Sequence, residues 1–438
     1  MGQLQATEQL PPKARERGII YPEESLPPVP NILAAIQHVV AMFGATVLGP
    51  ILMGFNANTA IFFSGIATLI FYALVRGRIP SYLGSSFSFI AAVIAATAYS
   101  GSGPNPNIAV ALGGIVIAGA LYFLIGLVVA LAGHRWLEKF MPPVVTGAVV
   151  AIIGLNLAPV AVKQVSGSLF DTAFGLATVA LVVLAAVLLP TRFRLFPILI
   201  GGGLSYFAYY IACNVLSHGP PIDFSALHNA ALFGLPSLTL PVFEARAITL
   251  IAPVAIVLVA ENLAHVRAVA AMTGRNLDPW LGRAFMGDGI ATMVSGSFGG
   301  TGVTTYADNI GVMSITRNFS SFTLVIAAIL AICLGLSPKF GEAVHTIPTP
   351  ILGGLSFILF GLITANAGRI WQVEKVDFGQ PRNLLVAGIA MVIGAGDLTV
   401  RYDGIVFGGI ATATFVALLL YHVIAPSKEP VAPMTRAE

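Results

Sequence analysis

The chain has 438 residues, of which 57% are hydrophobic and only 9% charged, with a net charge of +3. A soluble domain carries about 25% charged residues, so no soluble core of this size would hide so much apolar surface, whereas a lipid bilayer does. Forty-six glycines suit close helix approach in such a setting. The two cysteines, Cys213 and Cys333, each lie in an apolar stretch, which reads as small buried hydrophobes rather than a disulfide or metal pair.

The first thirty residues are polar, with Lys13, Arg15 and Arg17 ahead of Pro27, Pro28 and Pro30. They lack the apolar core of a signal peptide and read as a cytoplasmic tail. Apolar segments then follow at 31–54, 58–75, 83–99, 107–133, 142–162, 170–190, 195–217, 247–266, 284–299, 303–316, 320–337, 347–367, 383–397 and 404–424, fourteen in all on a 19-residue hydropathy window. Segments 83–99, 284–299 and 303–316 are short or rich in Gly, Ser and Thr, and need protein around their backbone to enter a membrane. With both termini inside, 18 Lys and Arg fall on inner segments and 4 on outer loops. Miscounting one span would move every later loop to the other side, so the asymmetry supports the even count.

Two segments resemble each other at an offset of 207. Pro143 aligns with Pro350, Gly147 with Gly354, Gly154 with Gly361 and Leu155 with Leu362. They are segments 5 and 12, an odd number apart, so the copies cross in opposite directions: an inverted repeat of the kind secondary transporters use. Segments 3 and 10 should then correspond. Segment 3 opens with Pro80-Ser81-Tyr82-Leu83-Gly84-Ser85-Ser86-Phe87-Ser88-Phe89, and segment 10 with the run from Gly299 to Asn309. Both have the composition of extended backbone that turns helical. Paired interrupted segments point to a midplane binding site, where half-helix N-termini offer free N–H groups.

Ionisable side chains within spans are costly and usually functional. The candidates are His38, Glu261, His265, Asp288 and Asp308, with Asp397 near a span end. Glu261 and His265 are four apart and share a helix face; they either serve a polar ligand and a proton or satisfy each other. Asp308 follows the extended part of segment 10. Asp288 reads more readily as a packing or capping group, and Gln37-His38 fits either role. No metal-ligand set or nucleophile–base pairing argues for an enzyme.

Four runs carry a family resemblance: Gln37 to Leu48, Pro80 to Phe89, Ala260 to His265, and Thr304 to Arg317. The last resembles the signature of the nucleobase–ascorbate transporter family, an acidic, Gln or Pro residue before Asn-x-Gly-x4-Thr-Arg, and all four are similar to bacterial uracil permeases. The resemblance spans about 30 to 424. It implies an all-α integral membrane protein of fourteen transmembrane segments in two inverted seven-segment repeats. A core domain would comprise 31–133 and 247–317 (continuing to 337), a gate domain 142–217 and 347–424, with cytoplasmic tails at 1–30 and 425–438. Short strands would sit in segments 3 and 10, with substrate between them.

Carried over by position, Glu261 would bond the pyrimidine N–H groups and His265 would couple the proton. Ser86 and Phe87 would lie on one side of the base, with Tyr306, Ala307 and Asp308 opposite and Phe360 on the gate side. The implied function is proton-coupled import of uracil or a related pyrimidine by alternating access across the inner membrane. The implied partners are the nucleobase, the proton, lipid and a second copy bound through the gate domain, with no nucleic acid, cofactor or metal. A xanthine- or urate-type purine transporter of the same family, or an anion transporter of the same architecture, are the alternatives. Two positions depart from the pattern. Asp308 stands where uracil permeases carry Glu, one methylene shorter, and Phe360 stands where Tyr is expected, without its hydroxyl.

Overall fold

A computed structural model describes residues 18–99, 103–190, 196–402 and 405–424. Lys13, Arg15, Arg17, Arg192, Arg194 and the tail 425–438 lie outside the described residues. In chain order the elements are α1 (Pro28–Met53), α2 (Ala57–Leu74), β1 (Leu83–Ser85), α3 (Ser88–Thr97), α4 (Ile108–Ala132), α5 (Arg135–Phe140), α6 (Pro143–Val165), α7 (Leu169–Leu188) and α8 (Pro197–Tyr210), which ends in a π turn over Ile211–Val215. There follow α9 (Ser225–Asn229), α10 (Ala245–Ile251), α11 (Val254–Thr273), α12 (Leu281–Ser297), β2 (Val303–Thr305), α13 (Ala307–Thr316), α14 (Ser321–Gly335) and α15 (Pro338–His345). The chain closes with α16 (Thr349–Val373), α17 (Pro381–Ala395), the hairpin β3 (Val400–Tyr402) and β4 (Ile405–Phe407), and α18 (Gly409–Val423).

Prolines open many of these helices. Pro28, Pro143, Pro197, Pro338 and Pro381 each occupy the first turn, where the missing N–H would be unsatisfied anyway. Gly54 and Gly274 end α1 and α11 in the left-handed conformation, at φ 72° and 64°, which costs glycine little. Among the described residues eight helices are long and apolar enough to cross a membrane, and α14 with α15, bent by 81°, makes a ninth.

Helices α3 and α13 are different. Each has ten residues, about 15 Å of rise against a hydrocarbon core of about 30 Å, so each reaches only halfway. Each follows a three-residue strand, and the two strands pair antiparallel with Leu83 opposite Thr305, Gly84 opposite Thr304 and Ser85 opposite Val303. Two broken segments thus meet back to back through β1 and β2.

The helices pack in two groups. In the first, α4 lies on α12, α12 on α2, α2 on α14, and α1 on α2 and α14. In the second, α6 lies on α16, α17 and α18, and α7 on α8 and α16. Helix α11 touches both, packing on α4, α12 and α13 on one side and on α6 and α18 on the other. The contact of α4 with α12 depends on small residues: a Cβ at Gly119 would stand 2.9 Å from the Gly289 carbonyl oxygen.

At one end of the first group, residues 20–23 strap several helix termini together. Ile20 N–H donates to the Arg317 carbonyl (2.9 Å), Phe319 N–H to Ile20 (2.8 Å) and Ser321 N–H to Pro22 (3.0 Å). Arg275 grips the Glu23 carboxylate with both terminal nitrogens and stacks on the Tyr21 ring. Arg275, Arg317 and the Arg76–Arg78 turn, where Ser321 donates to Gly77, all lie here, and this is called the basic end below.

One expectation fails. Cys213 is buried, but Cys333 is exposed. It shares with Phe322 and Ile329 the outward face of α14. An apolar stretch in a membrane helix has a lipid side as well as a protein side, so apolar neighbours do not imply burial within the chain.

Candidate substrate site

Glu261 sits midway along α11, facing the point where β1 and β2 hand over to their half-helices. Its Oε2 accepts from the Ser86 hydroxyl (3.3 Å) and the Ser88 hydroxyl (3.1 Å), so the broken segment 3 holds the carboxylate from one side. His265, one turn on, bonds through Nδ1 to the Thr305 hydroxyl (2.9 Å) on β2. The two side chains therefore do not satisfy each other; each is tied to a different broken segment, and both line one cavity of about 220 Å³. That is below the range for drug-sized ligands and suits a single small ring.

Ser86, Phe87, Tyr306, Ala307 and Asp308 line the same cavity. The Tyr306 ring is a wall and also a tie: its hydroxyl donates to the Ser85 carbonyl (3.0 Å) and accepts from Thr46 of α1 (3.1 Å). Gly84 gives it room, because a Cβ there would run into the Tyr306 ring. The N–H groups of Ala307 and Asp308 open α13 and have no preceding turn to bond, so they are free for a ligand carbonyl, reinforced by the helix dipole. The Asp308 carboxylate is half-buried and has no hydrogen-bond or ion-pair partner among the described residues. It stands where this cavity meets a second one, of about 610 Å³, which runs between α1 and α13 on one side and α8 and α16 on the other.

Phe360 is placed differently. It is buried behind the wall, and its ring meets that of Phe87 edge-on at 6.0 Å and 86°. It acts on the cavity by holding Phe87, while Val150, Ile153, Leu359 and Ile363 of α6 and α16 make the opposite apolar wall. At the basic end the cavity mouth is polar: Arg267 of α11 meets Glu374, just past α16, at 3.5 Å, with Asn366 and Arg369 beside them.

The remaining ionisable candidates stand outside the cavity lining. Asn309 donates from Nδ2 to the His38 carbonyl (3.0 Å) and contacts His38 Nδ1 (3.1 Å), tying α1 to α13. Asp288 is fully buried on α12 and accepts from Asn262 (2.6 Å). Asp397 accepts from Asn156 (3.1 Å) and from Gly409 N–H (3.1 Å), fastening the end of α17 to α6 and α18. Sequence reasoning missed Ser88, Thr304 and Thr305. Ser88 lies in the run already singled out, yet nothing in sequence says which of its four serines face a carboxylate.

Comparison with known proteins gives this geometry its context. Residues 30–402 match the family model for xanthine and uracil permeases, described as "Permease family". The chain is 51% identical to the putative pyrimidine permease RutG of Escherichia coli K12 over 425 residues, covering 97% of this chain and 96% of that protein. It is 37% identical to the uracil permease of Escherichia coli K12, covering 93% and 95%, and 36% to that of Bacillus caldolyticus, covering 92% and 93%. Among solved structures, the transmembrane domain of a cyanobacterial bicarbonate transporter, BicA, aligns with TM-score 0.63 at 18% identity, covering 89% of this chain and 96% of that one. The murine Solute Carrier 26 family member A9 anion transporter aligns with TM-score 0.66 at 11% identity, covering 94% and 69%. These two share the fold. The matched model, extending over most of the chain, and the permease relatives show that this protein is a membrane transporter, not an enzyme, and belongs to the nucleobase–ascorbate transporter family.

Proposed function

We propose that the protein imports uracil or a closely related pyrimidine together with a proton, by alternating access across the inner membrane. The observation that carries this reading is the Glu261 carboxylate, held by Ser86 and Ser88 at the floor of a small cavity and facing two half-helix starts. A pyrimidine base offers two N–H donors and two carbonyl acceptors. Glu261 is an acceptor for the donors, and the N–H groups at the start of α13 serve a carbonyl. A ligand lacking those groups would leave buried polar partners unpaired, which is a strong basis for rejection. Phe87 supplies a flat apolar face, and Phe360 fixes its angle.

Fourteen membrane segments in two inverted repeats are the architecture we attach to this function. The first packing group then acts as the core domain and the second as the gate domain, through which two copies pair. The positive-inside rule puts both termini in the cytoplasm, so the basic end is the cytoplasmic end and the mouth with Arg267 and Arg369 opens inward. Movement of the core against the gate would carry the site between the two sides, and a proton on Glu261, exchanged with His265 nearby, would license that movement.

An anion substrate is the second reading, favoured by the fold shared with a bicarbonate transporter and an anion transporter. The site argues against it. Its floor holds Glu261 and His265, a second carboxylate, Asp308, stands where it meets the neighbouring cavity, and its arginines stand at the mouth. Thermal shift over uracil, thymine, xanthine, urate, ascorbate and bicarbonate tests the assignment, because a ligand stabilises the state it binds. Uracil should give the largest shift. A shift with bicarbonate and none with any base would overturn the assignment.

A further inference from the structure

Between α9 and α10 the chain runs through Ala230-Ala231-Leu232-Phe233-Gly234-Leu235-Pro236-Ser237-Leu238-Thr239-Leu240-Pro241-Val242-Phe243 without an Asp, Glu, Lys or Arg. It is not helical, and too short and interrupted by Pro236 and Pro241 to be a span. Yet Leu232, Phe233, Leu235 and Leu240 are 70% to 82% exposed. An apolar run of this length left in water would be a large sticky patch.

Its backbone is seated. Lys339 N–H donates to the Ala231 carbonyl (3.0 Å) and Gly234 N–H to Leu336 (2.9 Å), at the ends of α15 and α14. The Thr59 hydroxyl of α2 donates to the Ser237 carbonyl (3.0 Å), Thr239 N–H donates to Phe298 after α12 (3.3 Å), and Val242 N–H donates to Ala109 of α4 (2.8 Å). The strap thus crosses, in order, the ends of α14, α2, α12 and α4, the four helices that pack side by side in the first group. It does so at the end opposite the basic strap. Gly113 of α4 is the seat for Val242, since a Cβ there would run into the Val242 carbonyl.

We infer that this segment is an apolar belt lying in the headgroup region of the outer leaflet, its partner a lipid surface, and that it travels with the first helix group. Two opposed constraints fix the depth. Water is disfavoured by the exposed leucines and Phe233, while the hydrocarbon interior is closed to irregular backbone whose N–H and C=O groups lack partners. The interface meets both conditions, because apolar side chains reach acyl chains while the backbone keeps headgroup water. In the same row, further along α4 and away from the belt, Leu121, Leu124 and Leu131 are exposed as well, so this row presents an apolar outer side to lipid. The inference depends on membrane insertion and not on which substrate is carried.

Photolabelling of the unaltered protein in lipid bilayers tests it, using phosphatidylcholine with a diazirine either near the glycerol or at the acyl end, and peptide mapping by mass spectrometry. The shallow probe should label 230–243 at least five-fold more than the deep one. Labelling of α4 by either probe with none in 230–243 would overturn the inference. As a second measurement, Phe233→Cys in a Cys213→Ala, Cys333→Ala background carries a nitroxide, which should be relaxed more by oxygen than by a water-soluble nickel chelate. Relaxation by nickel as in free solution would refute the belt, as would shielding that disappears when one protein copy per nanodisc is enforced, since a second copy would then be the partner.

Discussion

In the proposed function Glu261 is the residue on which substrate recognition would turn, because the broken segment 3 holds its carboxylate at the cavity from α11. Glu261→Gln and Glu261→Ala should abolish uracil uptake while the protein still folds and inserts, as read by size-exclusion profile and transport in vesicles. Near-normal uptake by either variant would remove Glu261 from the assigned role. Asp308 calls for a different experiment. It has no partner among the described residues and is one methylene short of Glu, so in the proposed site it would reach a small base through a bridging water, at an immobilisation cost of about 0–2 kcal/mol. Asp308→Asn should weaken uracil binding by about 1–3 kcal/mol, the scale for loss of a buried polar partner, whereas Asp308→Glu should keep it. Strong competition by xanthine or urate in the unaltered protein would instead mean that the shorter side chain has made room for a purine. At this scale the sequence was legible where a charge is rare: Glu261, His265 and Asp308 stand out in an apolar chain. It was silent where the partner is a hydroxyl, as with Ser88 and Thr305, because Ser and Thr are common in membrane helices and only coordinates say which ones turn inward. Phe360 was read as a wall residue and is instead a support for Phe87, a distinction that residue type does not carry.

Among the elements, the two broken segments repay the closest comparison of sequence with structure. The runs Pro80 to Phe89 and Gly299 to Asn309 read as extended backbone turning helical, and they are β1 with α3 and β2 with α13. Their composition disclosed this because Gly, Ser and Thr disfavour continuous helix. The register, with Gly84 opposite Thr304, was not readable, since three-residue strands carry too few side chains to specify it. Pro381-led α17 and the β3–β4 hairpin also shortened the last apolar segment, which begins as helix only at Gly409. The N-terminal strap was read merely as a polar tail, since no pattern announces a partner 252 residues away at Arg275. Its chemistry gives a prediction outside the membrane. The Arg275 guanidinium holds the Glu23 carboxyl below the usual Glu range, so the pair stabilises the folded chain at neutral pH and its contribution is lost as pH falls through that lowered value. Glu23→Gln should therefore increase proteolysis within 18–27 at pH 7 with a small loss of stability, about 1 kcal/mol or less for an exposed pair. The difference between the two proteins should vanish in strong acid. Equal proteolysis of the two proteins at pH 7 would show that the strap is held by its backbone bonds alone.

For the whole molecule, sidedness and driving force are the properties a single set of coordinates leaves to charge and chemistry. The proposed count of fourteen segments divides the basic residues 18 against 4 and would put both termini in the cytoplasm, so a C-terminal reporter fusion should be active only inside the cell; activity outside would refute the count. The driving ion follows from what surrounds the site. A sodium ion needs several oxygen ligands gathered on one point, like other hard cations. Here the oxygens near Glu261 are engaged one by one: Ser86 and Ser88 donate to the carboxylate, Thr305 is bonded to His265, and Tyr306 is tied to Ser85 and Thr46. What the site does gather is a carboxylate and an imidazole one turn apart on α11, each bonded to a different broken segment. A proton can pass between such groups without assembling a cage, and protonating Glu261 removes the isolated charge whose passage through the apolar gate wall of Val150, Ile153 and Leu359 would otherwise be costly. Uptake should thus rise as the outside is made acidic and collapse with a protonophore, and replacing sodium by choline should leave it unchanged. His265→Ala should blunt the response to acid more than it weakens uracil binding, because the imidazole lines the cavity without being the main acceptor. Uptake that followed a sodium gradient and ignored the protonophore would overturn the proton assignment while leaving the substrate assignment intact.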